Sequence, residues 1–170
     1  MIALRSPCWD GRTLMAVVAD DGGRAAAGYK GSARDCVCRS IAIATGKPYQ
    51  EVYDALNEMA RRERRGTRKK GVSSARAGVY KQTYRRYLAS LGWTWVPTMQ
   101  IGSGCTVHLV EEELPAGRLI VSLSRHLTAV IDHVIHDTFN PAVTSIVGLG
   151  AEERIQHRCV YGYFVMPDAE

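Results

Sequence analysis

The sequence predicts an α+β domain in which N-terminal helices pack on a C-terminal antiparallel β-sheet. Between Cys36 and Leu91 apolar residues recur at helical spacing, whereas from Trp93 onward they alternate with period two in short runs. Neither an internal repeat nor a linker interrupts the chain, so residues 1–170 read as one domain. Hydrophobic residues make up 46% and charged residues 23%, a balance that builds a core and excludes a disordered chain.

Residues 12–19 read as a strand and Asp20-Asp21-Gly22-Gly23 as the turn after it. Residues 36–45 form a short buried helix, with Asp35 as its N-cap and Gly46 as its stop. Pro48 suits the first turn of a second helix, which buries Val52, Leu56 and Met59 and ends in a run of arginines favourable to the helix dipole. A third helix is expected from Ser73 or Ser74, with Tyr80, Tyr84, Tyr87, Leu88 and Leu91 on one face and Gly92 at its end. Strands follow at 93–97, 105–109, 118–123, 126–131, 134–139 and 158–165. Trp93 and Trp95, two residues apart, read as core.

No apolar run approaches the ~18–20 residues that span a bilayer, and Met1–Cys8 lacks the apolar core of a secretory signal. Five cysteines at irregular spacing argue against a disulfide scaffold. Reduced thiols and a cytoplasmic location are the expectation.

Charge is unevenly spread. Residues 61–86 contain eleven Lys or Arg against one acid, Glu63, a net of +10 that leaves −5 for the rest of a chain carrying +5. Interleaved with Tyr80, Tyr84 and Tyr87, this segment has the charge-and-ring composition of a single-strand nucleic-acid binder, and it also suits an acidic protein partner. The same tyrosines fall at core spacing on a helix, and both readings stand at this point.

Chemistry concentrates in two places. Cys36 heads a predicted helix, where unpaired N–H groups and the macrodipole favour a thiolate. Cys38 competes with it, but two residues apart on a helix the two side chains diverge by about 100° per residue, so one alone can face the sheet. The second place is the hairpin of His126 and Asp137. With Asp132-His133 as its two-residue turn, Thr128 opposes Asp137 and His126 opposes Phe139, which puts His126 and Asp137 on one face and turns His136 and Asn140 away. Cys36, His126 and Asp137 then supply a nucleophile, a base and the base's orienter. Metal binding is the competing use of these residue types. Cys36-x-Cys38, His133-x-x-His136 and His157-x-Cys159 contain ligand types, but none has a zinc-site spacing, and no metal or cofactor is expected. His108 reads as a packed or surface histidine, and Gly102-Ser103-Gly104 as a turn without the Gly-Lys-Ser/Thr of a phosphate loop.

The stretch Asp35-Cys36-x-x-Arg39-x-Ile41-Ala42-x-Ala44-Thr45-Gly46-Lys47-Pro48-Tyr49, followed by His126-x-x-Ala129-Val130-x-Asp132 and Asp137-Thr138, resembles the papain-like cysteine peptidase superfamily. It looks most like the small C39-peptidase-like proteins of phages and plasmids. The resemblance runs from about Lys30 to Phe139 and implies a papain-like fold, with Cys36 as nucleophile, His126 as general base and Asp137 as third member. It implies attack on an amide, isopeptide or related acyl bond of a protein or peptide substrate, through an acyl-thioester released to water or to an amine. The pattern departs at Lys30, where such enzymes place a Gln that completes the oxyanion hole. The Cys36 backbone N–H remains as one donor, and Gln82 and Gln100 are candidates for the other. The alternative is an inactive papain-like scaffold that serves as a basic nucleic-acid- or protein-binding module.

Overall fold

The computed structural model describes residues 12–63, 71–144 and 156–166. Its elements are strand β1 (Ala16–Ala19), helices α1 (Cys36–Thr45), α2 (Tyr49–Arg61) and α3 (Lys81–Ser90), and strands β2 (Thr94–Pro97), β3 (Arg118–Leu123), β4 (His126–Ile131), β5 (Val134–Asp137), β6 (Val143–Thr144), β7 (Gln156–His157) and β8 (Gly162–Val165). The α+β class is present. The sheet, however, is mixed rather than antiparallel. Its order is β1-β5-β4-β3-β8-β2, and β1 joins the edge parallel to β5, while β6 and β7 form a separate pair. An N-terminal strand thus enters the sheet before any helix is made. Period-two patterning fixes which face a residue takes but not the direction of the neighbouring strand.

Helix α1 has the predicted bounds. Gly46 adopts φ 71°, and its N–H closes on the Ala42 carbonyl, the left-handed stop that glycine takes without strain. Pro48 precedes the first residue of α2, and Val52 and Leu56 on that helix are fully buried. The third helix starts later than expected, at Lys81 rather than Ser73 or Ser74. Ser74 and Gly78 exchange both backbone hydrogen bonds, and the Ser73 hydroxyl accepts the Tyr80 N–H, so residues 73–80 form a closed turn that competes with helix. Residues 105–109 contribute only a single bridge, His108 to Cys159, and the expected strands 12–19, 134–139 and 158–165 are shorter than their patterns.

The β4–β5 hairpin turns at Asp132 and His133, with φ of 47° and 61°, the two left-handed residues of a type I′ turn. Asp132 is held there by Gly117, which accepts its N–H and donates to its carboxylate at 2.9 Å each. Ala129 pairs with His136 and Val130 with Ile135, which is the predicted register.

Both faces of the sheet are covered. On one, Ile120, Leu127, Ala129 and Phe164 meet Val37, Ile41, Leu56, Tyr84 and Leu88 of the helices. On the other, Leu119, Val121, Val130 and Ile135 meet Met15, Leu109, Leu114 and Val160. The expectation of reduced thiols fails at one pair: Cys105 and Cys159 are joined by a disulfide, and Cys159 is also the bridge partner of His108. No helix among the described residues is long and apolar enough to cross a membrane.

Candidate functional site

Helix α1 begins at Cys36 and β4 begins at His126, and the start of the helix meets the start of the strand. The Cys36 thiol faces the His126 ring and the Leu127 backbone N–H, and both favour its charged form. Nε2 of His126 lies 2.6 Å from the Asp137 carboxylate, which leaves Nδ1 for the sulfur. Asp137 accepts the Thr138 N–H at 2.7 Å, and the Phe139 ring packs 4.9 Å from the imidazole. All three predicted residues therefore meet, although they come from a helix and two strands.

Their electrostatics are those of an ion pair. Burial pushes the Cys36 thiol up, but the hydrogen bonds from His126 and Leu127 and the positive charges of His126 and Arg39 outweigh it and hold the thiol below its ordinary value of 9.0. Burial pushes His126 down, but the Asp137 carboxylate and the Cys36 sulfur raise it to about 9. Asp137 would be raised by burial and is lowered by the His126 bond and charge. The site thus favours the thiolate of Cys36 beside the imidazolium of His126 and the carboxylate of Asp137.

Cys38 takes the opposite course. It is wholly buried, its thiol faces the Tyr49 carbonyl at 3.8 Å, and burial with the Asp35 charge pushes it up to about 12. Divergence along the helix thus leaves one reactive and one inert thiol.

Asp35 stands at the N-cap position of α1 as expected, but its side chain makes no capping bond. Its carboxylate is buried between Arg24 and Arg39, each 3.0 Å away through Nε, and accepts the Tyr49 hydroxyl at 2.7 Å. Arg39 also reaches the Asp137 carboxylate at 3.7 Å and hydrogen-bonds the Thr138 hydroxyl. One guanidinium thereby ties the head of α1 to the end of β5. Sequence reasoning missed this role because an arginine three residues after a cysteine has many innocent uses; the (i, i+4) spacing to Asp35 was the available signal.

The thiol opens into a cleft of about 690 Å³ lined by both elements of the site and by Lys81, Tyr84, Ser122 and Tyr161. Neither Lys30, Gln82 nor Gln100 lines it. Lys30 is exposed and its carbonyl is used by Arg24 and Arg76, Gln82 is exposed, and Gln100 lines an adjoining cavity. The polar groups present instead are hydroxyls. Burial pushes Tyr84 up, and the nearby Cys36 charge adds to this, so it remains a phenol; Ser122 stands beside it. The helical stripe that identified Tyr84 and Tyr87 as core residues is correct for their burial, and it hid the hydroxyl that Tyr84 presents to the cleft.

The other candidates lie elsewhere. His136 contacts Asp20 at 3.2 Å, His133 occupies the turn, His157 is buried beside His108, and Cys159 is oxidised. Among the described residues no group of three or more His, Cys, Asp or Glu side chains is placed to hold a metal. Residues 64–70 of the basic segment lie outside the described residues; of the rest, Arg61 and Arg62 pair with Glu58, and Tyr84 and Tyr87 are buried rather than offered for stacking.

No family model matches the chain, and neither a curated protein nor a solved structure matches it.

Proposed function

We propose that the chain is a papain-like cysteine hydrolase, a peptidase or amidase, acting through Cys36, His126 and Asp137. The observation that carries this reading is the convergence of thiol, imidazole and carboxylate, with His126 bonded to Asp137 and Cys36 beside His126 in one accessible cleft at the start of a helix. The thiolate of Cys36 attacks an amide or related carbonyl. His126, as imidazolium, gives its proton to the departing amine and then takes one from the water that hydrolyses the acyl-thioester. Asp137 fixes the ring and stabilises its charge. The N–H groups at the first turn of α1 and the Tyr84 and Ser122 hydroxyls are the donors suited to the developing oxyanion, in place of the missing glutamine.

Alkylation tests the reading directly. Iodoacetamide at neutral pH should label Cys36 at least about tenfold faster than Cys38, and His126→Ala should slow Cys36 toward an ordinary thiol. Cys36→Ala should abolish hydrolysis of peptide or amide substrates while leaving the fold intact. Equal labelling of the two thiols would remove the basis for a nucleophilic role.

A further inference from the structure

The cleft does not end at the thiol. A second cavity of about 480 Å³ adjoins it, sharing Lys81 and Tyr161 as common walls. Among the described residues, the charge lining this combined groove has one sign. Arg34, Lys81 and Arg125 line the first part and Lys81 and Arg85 the second, and no carboxylate of the described residues lines either. None of these four side chains has an ion-pair partner among the described residues, unlike Arg39, which is committed to Asp35 and Asp137. Lys81 and Arg85 stand one helical turn apart on α3, a like-charge spacing that costs stability, and both lie over the Trp95 ring, at 5.4 and 4.3 Å. Burial and the neighbouring Arg85 charge together pull Lys81 below its ordinary value. The floor beside them is apolar, formed by Trp95, Pro97 and Met99 with the fully exposed Ile101 at its rim.

We infer that this groove binds the substrate as an acidic peptide segment, with carboxylates on Lys81, Arg85 and their neighbours and an apolar side chain in the Trp95–Ile101 cavity. The inference deepens the hydrolase reading and rests on it, because it assigns the substrate of that same cleft. Charge complementarity selects an anion. The cavity selects a peptide over a nucleic acid. Trp95 packs on Phe164 at 4.7 Å and is overlain by Arg85, so its face is not open for base stacking, and Met99 and Ile101 suit an aliphatic side chain.

Binding can be measured without turnover, which separates this inference from the hydrolase reading. Cys36→Ala protein is titrated, by fluorescence anisotropy, with a short labelled peptide carrying one central Leu flanked by Glu. The comparison peptides replace Glu by Gln, or Leu by Ser, and labelled oligo-dT is the nucleic-acid probe. The Glu peptide should bind roughly fivefold to tenfold tighter than the Gln peptide at about 150 mM salt. Lys81→Glu with Arg85→Glu should abolish that preference, and the milder Lys81→Gln with Arg85→Gln should reduce it with an unchanged circular dichroism spectrum. Ile101→Ser should weaken the Leu peptide and leave the Ser peptide unaffected. Equal affinity for the Glu and Gln peptides overturns the inference even if Cys36 proves hyper-reactive. Tighter binding of oligo-dT than of the Glu peptide, lost in the same charge variants, overturns it in favour of a nucleic acid.

Discussion

Arg39 illustrates how one side chain joins fold and chemistry. It neutralises the buried Asp35 carboxylate at the head of α1 and places a positive charge beside both Asp137 and the Cys36 sulfur. Removing it should act twice. Arg39→Ala leaves a buried carboxylate with one cation fewer, a change that costs about 3–5 kcal/mol where a pair is fully buried. It also withdraws a charge that favours the thiolate, so the pH at which Cys36 becomes alkylated should rise. Arg39→Lys keeps the charge and should restore most of the alkylation profile, although a single ammonium cannot serve Asp35, Asp137 and Thr138 together. A profile unchanged in Arg39→Ala would confine the residue to a structural role. Tyr84 is tested by a gentler change. Tyr84→Phe keeps the buried ring and removes the hydroxyl; it should lower kcat by about 10²–10³ with little change in KM if the phenol meets the oxyanion.

Elements differ in how much of themselves they wrote into the sequence. The β4–β5 hairpin was legible because a two-residue turn and a strict alternation leave one register, and that register brings His126 to Asp137. Helix α1 was legible through its small buried residues and Gly46. The start of α3 was not, because the Ser74–Gly78 turn is settled by backbone pairing that serines and glycine permit without advertising. The parallel β1 and the Cys105–Cys159 bridge were hidden for a shared reason. Each depends on a partner more than fifty residues away, which no local pattern reports. The groove was missed in the same way, since Trp95 alternates like any core residue and only the tertiary fold sets α3 against it. Gly162 exposes this dependence. A Cβ there would lie 2.4 Å from the Trp95 ring and 2.7 Å from the Val96 carbonyl, so β8 can approach β2 only without a side chain. Gly162→Ala should destabilise the protein by about 1–3 kcal/mol in denaturant melts. It should also displace Trp95, which a shift in indole fluorescence would reveal.

On the scale of the whole molecule, the ion pair links the candidate site to stability through proton counts. His126 titrates at about 9 in the folded chain against an ordinary 6.5. Taken alone, its stabilisation is complete below 6.5 and is lost as pH rises through 9. Cys36 has the opposite sign. Its folded value lies below 9.0, so its stabilisation is present above 9.0 and is lost as pH falls through the folded value. Wherever the folded protein holds the thiolate–imidazolium pair and the unfolded chain a thiol and a neutral imidazole, the two shifts offset each other. The proton count is equal, and the pair contributes little net pH dependence. Removing the sulfur breaks that balance. In Cys36→Ala the Asp137 carboxylate still favours the His126 imidazolium, so stability should decline as pH rises from 6.5 toward 9, while the wild type changes less. Each unit of remaining shift corresponds to about 1.4 kcal/mol, or a few degrees of Tm for a chain of this size. The double variant Cys36→Ala with His126→Ala should lose the added slope. Asp137, held below its ordinary 3.8, stabilises above that value and loses its effect as pH falls through the folded one, so an acid limb should persist wherever His126 is intact. Thermal melts of the three proteins across this range are decisive: parallel slopes for wild type and Cys36→Ala would mean that Cys36 is a thiol at neutral pH, and that the ion pair on which the proposed chemistry depends does not form.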